Sequence, residues 1–164
     1  MNMERINIIY VDDQREVLTT IGKELEDFEE FFNLESCESA DEAWELLEEI
    51  DINGDYTAVL ISDHIMPGKR GVDFLTEVDQ DFRFDSIKKI LLTGMATHQD
   101  TIAAINNASI DRYLEKPWKA EELVKMVREL LTIFVLEVGI DFERFRTKLD
   151  QEVVIKEYRK GREY

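Results

Sequence analysis

The chain has 164 residues, 44% of them hydrophobic, with 20 basic residues against 37 acidic ones and a formal net charge of -17. That length suits one domain plus a small addition, and that hydrophobic fraction excludes a compositionally disordered chain. The negative charge repels nucleic acid and anionic lipid and attracts divalent cations or a basic partner face, so neither direct nucleic-acid binding nor a membrane is expected. The single cysteine, Cys37, cannot form an intramolecular disulfide and reads as a small apolar residue in a reduced compartment. The N-terminal MNMERINIIYVDD lacks the apolar core of a signal peptide, and no apolar run approaches the roughly 20 residues of a membrane span. A cytoplasmic protein is the expectation.

The first apolar run, INIIYV (6–11), stops at Asp12-Asp13, and Asp13 is also placed to cap the helix that follows. Residues 15–28 put Val17, Leu18, Ile21, Leu25 and Phe28 on one helical face. A second run, FFNLES (31–36), precedes Ser39-x-x-Glu42, a capping box that opens a helix through Ala43, Trp44, Leu47 and Ile50; NGD (53–55) ends it. A third run, TAVLIS (57–62), stops at Asp63. The following HIMPGKRG forbids continuation, because Pro67 cannot donate to a sheet ladder. Short helices are expected at 72–78 and 98–106, with the run KILLT (89–93) between them. A fifth run, IDRYL (110–114), leads into Glu115-Lys116-Pro117, and a longer helix is expected over 119–136.

Three of these runs are nearly continuous in Ile, Val and Leu, as central strands of a parallel sheet are. Their alternation with helices predicts an α/β fold, a doubly wound parallel sheet whose ligands bind outside the carboxyl ends of the strands. Asp12, Asp13, Asp63, Thr93, Gly94 and Lys116 stand at those ends. Taken singly, each has an ordinary reading: a helix cap, a strand residue, a solvated charge. Taken together, three carboxylates need a cation to ionise side by side, and an all-oxygen donor set selects Mg²⁺. A lysine and a hydroxyl opposite suit phosphoryl oxygens, which makes Asp63 a candidate aspartyl-phosphate nucleophile.

IIYVDD, LISDHIMPGKRGVDFL, ILLTG and YLEKPW, in this order and spacing, resemble the receiver domain of two-component response regulators. The resemblance covers roughly residues 4–136. It implies a five-stranded, flavodoxin-like parallel sheet of order 2-1-3-4-5, with residues 1–136 as receiver domain and 137–164 as a C-terminal helical extension. It implies that Asp63 accepts a phosphoryl group from a sensor histidine kinase or histidine phosphotransfer protein. Asp12, Asp13, Asp63 and the backbone carbonyl of Ile65 would hold Mg²⁺. Thr93 would be the switch hydroxyl and Tyr113 the aromatic that turns inward with it. Gly94 would leave room for the phosphate, Lys116 would pair with a phosphoryl oxygen, and Pro117 would follow a cis peptide bond. Positions two beyond the acceptor and two beyond the threonine tune self-dephosphorylation in this family. Here they are Ile65 and Met95, both apolar, so a long-lived phosphoryl group is expected. His64 is expected on the loop surface, His98 in a helix's first turn, and Trp118 in a packing role.

Residues 137–164 are too few for a DNA-binding or enzymatic output domain, so a stand-alone regulator without separate substrate turnover is expected. Val138, Phe142, Phe145, Leu149 and Val153 recur at helical spacing, Gly139 marks a break with the preceding helix, and basic residues gather at the end. This stripe either lies back on its own receiver or docks on a second copy. Homodimerisation through it, or through the face of helix four, strand five and helix five, is the expectation. Two other classes compete. An aspartate-nucleophile phosphatase wants a carboxylate two beyond the nucleophile, where Ile65 stands. A pseudo-receiver that binds partners without phosphorylation would have lost the acidic pair, Asp63, Thr93 or Lys116, and all are present.

Overall fold

The computed structural model describes residues 4–94 and 99–161. Five parallel strands, β1 (Ile6–Val11), β2 (Asn33–Cys37), β3 (Tyr56–Asp63), β4 (Lys88–Thr93) and β5 (Arg112–Glu115), form one sheet in the order β2-β1-β3-β4-β5. Parallel neighbours require crossover connections, here α1 (Arg15–Glu24), α2 (Ala40–Ile52), α3 (Gly71–Gln80) and α4 (Gln99–Asn107). Helix α5 (Ala120–Val138) follows β5, and α6 (Gln151–Lys160) ends the fold. The expected sheet order and fold class are therefore observed, with an extra C-terminal helix.

The period-two alternation of the strands sorts the core into two layers. Ile6, Ile8 and Tyr10 of β1, Ile61 of β3 and Ile90 and Leu92 of β4 face α1 and α5. Ile9, Val11, Leu60 and Leu91 face α2 and α3. Ser39 caps α2 by accepting the Glu42 N–H at 3.1 Å, and the Glu42 carboxylate returns to the Glu38 N–H at 3.0 Å. The box thus closes one residue earlier than the motif predicts. Helix α1 has Gln14 rather than Asp13 at its N-cap, without a side-chain bond. It also ends at Glu24, ahead of a 3-10 turn over Glu26–Glu30 that still buries Phe28. Phe31 and Phe32 belong to the end of that turn, so β2 starts later than expected.

The C-terminal stripe is not one helix. Gly139 turns the chain with a left-handed φ of 77°, which suits glycine, and Ile140 N–H bonds back to the Val135 carbonyl. A 3-10 segment over Phe142–Lys148 precedes α6, which Asp150 caps by accepting the Glu152 and Val153 N–H groups. The stripe is covered in cis: Phe145, 3% exposed, sits 5.1 Å from the Phe32 ring and 5.9 Å from Phe31. Leu149 joins the same core cluster. Around this plug, Lys148 reaches Asp27 and Glu30, each at 3.0 Å, and Asp150 N–H donates to Thr132 Oγ1 at 2.9 Å. The boundary drawn after residue 136 falls inside α5. Among the described residues no helix is long and apolar enough to cross a membrane.

Removing the Phe145 ring leaves a cavity that Phe28, Phe32 and Leu149 cannot fill. Phe145→Ala is expected to lower unfolding free energy by about 3 kcal/mol, read as a lower urea midpoint at unchanged slope.

Candidate functional site

Sheet register assembles the site. Val11 pairs with Ser62, Asp63 with Leu92, and Thr93 with Glu115. One residue beyond these pairs, the chain therefore delivers Asp12, His64, Gly94 and Lys116 to the same edge. Backbone bonds hold the ends in place: Asp12 N–H to the Cys37 carbonyl, His64 N–H to Leu92, and Lys116 N–H to Thr93, at 3.1, 2.9 and 2.9 Å.

Asp12 and Asp63 are buried while Asp13 is exposed, and oxygens of all three lie within 4.8 Å of one another. Lys116 Nζ lies 2.6 Å from Asp63 Oδ1 and 3.4 Å from Asp12 Oδ2. Burial pushes the Asp63 carboxyl above the usual carboxylate range; Lys116 pulls it down and Asp12 adds to the rise, leaving it raised. Burial opposes the charge on Lys116, but Asp63 and then Asp12 outweigh it and hold the ammonium protonated beyond its ordinary range. The donor set fits Mg²⁺: carboxylate oxygens only, with the exposed Asp13 leaving the outer side open to water ligands.

Thr93 is buried at the end of β4. Gly94 is exposed, and a Cβ there would meet nothing within 4 Å among the described residues. Tyr113 is 49% exposed on β5, turned away from the core, and Ile65 is 63% exposed on the loop after Asp63. The Lys116–Pro117 peptide bond is cis. Met95 and His98 lie outside the described residues. Trp118 packs against the core and donates its indole N–H to Glu24 at 2.8 Å. Burial pushes the Cys37 thiol up to about 12, which keeps it protonated as an apolar filler.

The loop after β3 is held closely. Gly68 takes a left-handed φ of 82°, Met66 is buried, and Gly71 N–H bonds the His64 carbonyl at 2.8 Å. At Gly71 an added Cβ would lie 1.9 Å from the Asp63 carbonyl oxygen, so no side chain fits. His64 departs from expectation: it is buried rather than on the surface, and burial, followed by Arg70, lowers its pKa. Its Nδ1 has no partner among the described residues. A loop lacks the periodicity that would have signalled this inward orientation.

Comparison with known proteins agrees with this geometry. The response regulator receiver domain family matches residues 8–128. The hydrogenase transcriptional regulatory protein HoxA of Cupriavidus necator is 33% identical over 129 residues, 79% of this chain and 25% of that protein. Response regulator Rre1 of Synechocystis sp. is 33% identical over 128 residues, 78% of this chain and 52% of that protein. The chain thus spans a quarter to about half the length of these relatives. Among solved structures, the signal receiver domain of an HD domain-containing protein from Pseudomonas fluorescens Pf-5 superposes with a TM-score of 0.70. It is 27% identical, covering 86% of this chain and 97% of that one.

Gly71→Ala forces the loop away from the β3 end. A loss of about 2 kcal/mol in unfolding free energy is expected, within the range for overpacked sites, measured by urea denaturation.

Proposed function

The chain belongs to the response regulator receiver domain family, and from that premise we propose that it is a phosphorylation-dependent switch of a two-component system, with Asp63 as the phosphoacceptor. One observation carries the reading: a single ammonium, Lys116, bridges two buried carboxylates at the ends of β1 and β3, with a third carboxylate alongside. The donor is a phosphohistidine on a sensor kinase or phosphotransfer protein. An Asp63 carboxylate oxygen attacks phosphorus, an O–P bond forms, the N–P bond to imidazole breaks, and the imidazole leaves with its electron pair. Phosphoryl transfer asks mainly for positioning and charge neutralisation, and a carboxylate nucleophile has no proton to lose, so the step needs no general base.

Asp12, Asp13 and Asp63, with the Ile65 carbonyl, would hold Mg²⁺, whose charge offsets that of the phosphoryl group. Lys116 binds a phosphoryl oxygen once that group shares Asp63 with it. The Thr93 hydroxyl donates to another, and Gly94 leaves the room this needs. Tyr113, now outward, turns into the space Thr93 vacates and changes the surface formed by α4, β5 and α5. The protein receives and slowly releases a phosphoryl group and turns over no separate substrate. No nucleic-acid role is carried over from the relatives, since the net charge of -17 opposes it.

Intact-mass spectrometry after incubation with Mg²⁺ and acetyl phosphate tests this. One phosphoryl adduct is expected on the wild type and none on Asp63→Ala; absence of an adduct on the wild type would favour a binding module that acts without phosphorylation. A second prediction concerns lifetime. Ile65 offers an attacking water no hydrogen bond, and neither does Met95 by its chemistry. The adduct should therefore persist for many minutes, and decay within seconds would refute the role given to these two side chains.

A further inference from the structure

Phe82 is 85% exposed, yet it does not sit on a loose loop. It opens a 3-10 turn, Phe82–Phe84, that Asp81 caps by accepting the Arg83 N–H at 3.0 Å. The Arg83 guanidinium closes back on Asp81 at 2.7 Å and lies over the ring of Phe84, which is buried edge-on against Trp44. The turn is therefore fixed, and it holds a bare phenyl ring at the rim of a hollow of about 490 Å³. Trp44 of α2 and Glu77 and Gln80 of α3 line that hollow. A second hollow, of about 420 Å³, lies between the first turns of the same two helices, at Asp41 and Asp73. Both belong to the trough between α2 and α3, on the sheet face opposite α1 and α5.

Single exposed apolar side chains are ordinary. A ring on an immobilised turn, with an aromatic neighbour across a groove, has the character of a binding anchor, because little ordering remains to oppose association. Charge selects what it binds. Helix α2 carries six acidic residues and α3 three, and neither carries a lysine or arginine. The basic residues that flank the trough, Lys69, Arg70 and Arg83, are each engaged by an acid of it, Glu77, Asp73 and Asp81. The acids remain in excess, so the trough repels anions and attracts cations. We infer that the trough between α2 and α3 is a docking site for a cationic, amphipathic segment of another protein. An apolar side chain of that segment seats between Phe82 and Trp44, and its lysines or arginines meet the acids of the two helices. Ring faces favour the same cations. A second copy of the chain is a poor occupant. Its exposed basic and apolar residues on α6, Lys156, Arg159, Ile155 and Tyr158, would have to enter the trough of the next copy. That contact is heterologous and adds copies without closing, while molecules of charge -17 accumulate. The inference rests on the fold and not on phosphorylation of Asp63.

Two peptides of equal charge test this against the full, unphosphorylated chain: one of lysine and leucine at helical spacing, and one with serine in place of every leucine. Fluorescence anisotropy of the labelled peptides gives affinity, and amide NMR gives place. The chain has two tryptophans, and their indole N–H groups report on different faces: Trp44 in the trough, bonded to Glu48, and Trp118 in the α1 and α5 layer, bonded to Glu24. The lysine–leucine peptide is expected to bind roughly tenfold more tightly than the lysine–serine one. It should shift the Trp44 indole signal and leave that of Trp118 in place. Phe82→Ser should remove the preference for leucine, and Gln80→Lys should weaken the lysine–leucine complex severalfold by adding a like charge. Both positions are exposed, and circular dichroism checks that the variants fold. Equal affinity for the two peptides overturns the inference. So does equal movement of both indole signals, or a Phe82→Ser chain that still prefers leucine. Sedimentation velocity on the protein alone closes the test: concentration-dependent assembly that Phe82→Ser abolishes would make a second copy the occupant and overturn the inference as well.

Discussion

Two buried carboxylates at adjacent strand ends repel, and the fold has to supply a positive charge between them. Lys116 supplies it at 2.6 Å from Asp63 and 3.4 Å from Asp12. For this ammonium to arrive there, β5 must pair with β4 in the register that sets Thr93 against Glu115, and β3 must extend as far as Asp63. The topology of the whole sheet is therefore tied to one charge placement. The same pairing keeps the unmodified site from being an open anionic hole. In the proposed phosphoryl transfer, the incoming group meets a cation already held by the carboxylates it joins, so the site reorganises by exchange of partners rather than by burial of new charge.

Much of this was legible in the sequence, for identifiable reasons. A parallel sheet with helices on both faces makes central strands apolar throughout, so INIIYV, TAVLIS and KILLT stood out. The polar residue that ended each run was the residue the fold presents at its edge. Errors gathered where apolar periodicity has more than one structural solution. Phe31 and Phe32 fit a strand because they are apolar and adjacent; a 3-10 turn buries Phe28 and Phe32 equally well. The C-terminal stripe recurs at helical spacing, yet a 3-10 segment and a separately capped helix produce the same recurrence. Asp150, a capping residue in the middle of the stripe, is the signal that separates the two segments. The burial of His64, on an aperiodic loop, and that of Lys148, set by Asp27 and Glu30 far away in the chain, have no sequence signature.

The extension and the receiver core are one packed body in electrostatic terms as well. Lys148 is buried at the chain's own acidic turn, between Asp27 and Glu30, and Arg128 lies over the Phe28 ring while donating to the Lys148 carbonyl. Basic residues of the C-terminal segment thus serve two ends. Those on its inner side neutralise acids of the same molecule. Those on the outer side of α6, Lys156 and Arg159, stay exposed to solvent.

Phe145 lies against Phe32 across more than a hundred residues of sequence. Closing so long a loop is entropically unfavourable before the contact can reward it, and contacts of this kind slow folding. The sheet and its α1 and α5 layer can assemble from nearer contacts, but Phe28 and Phe32 stay uncovered until the segment from Phe142 to Leu149 docks. A chain caught before that step presents a solvent-facing aromatic patch at the end of the sheet opposite Asp12, Asp63 and Lys116. The contact that seals this aromatic cluster therefore lies at the end of the molecule opposite Asp63.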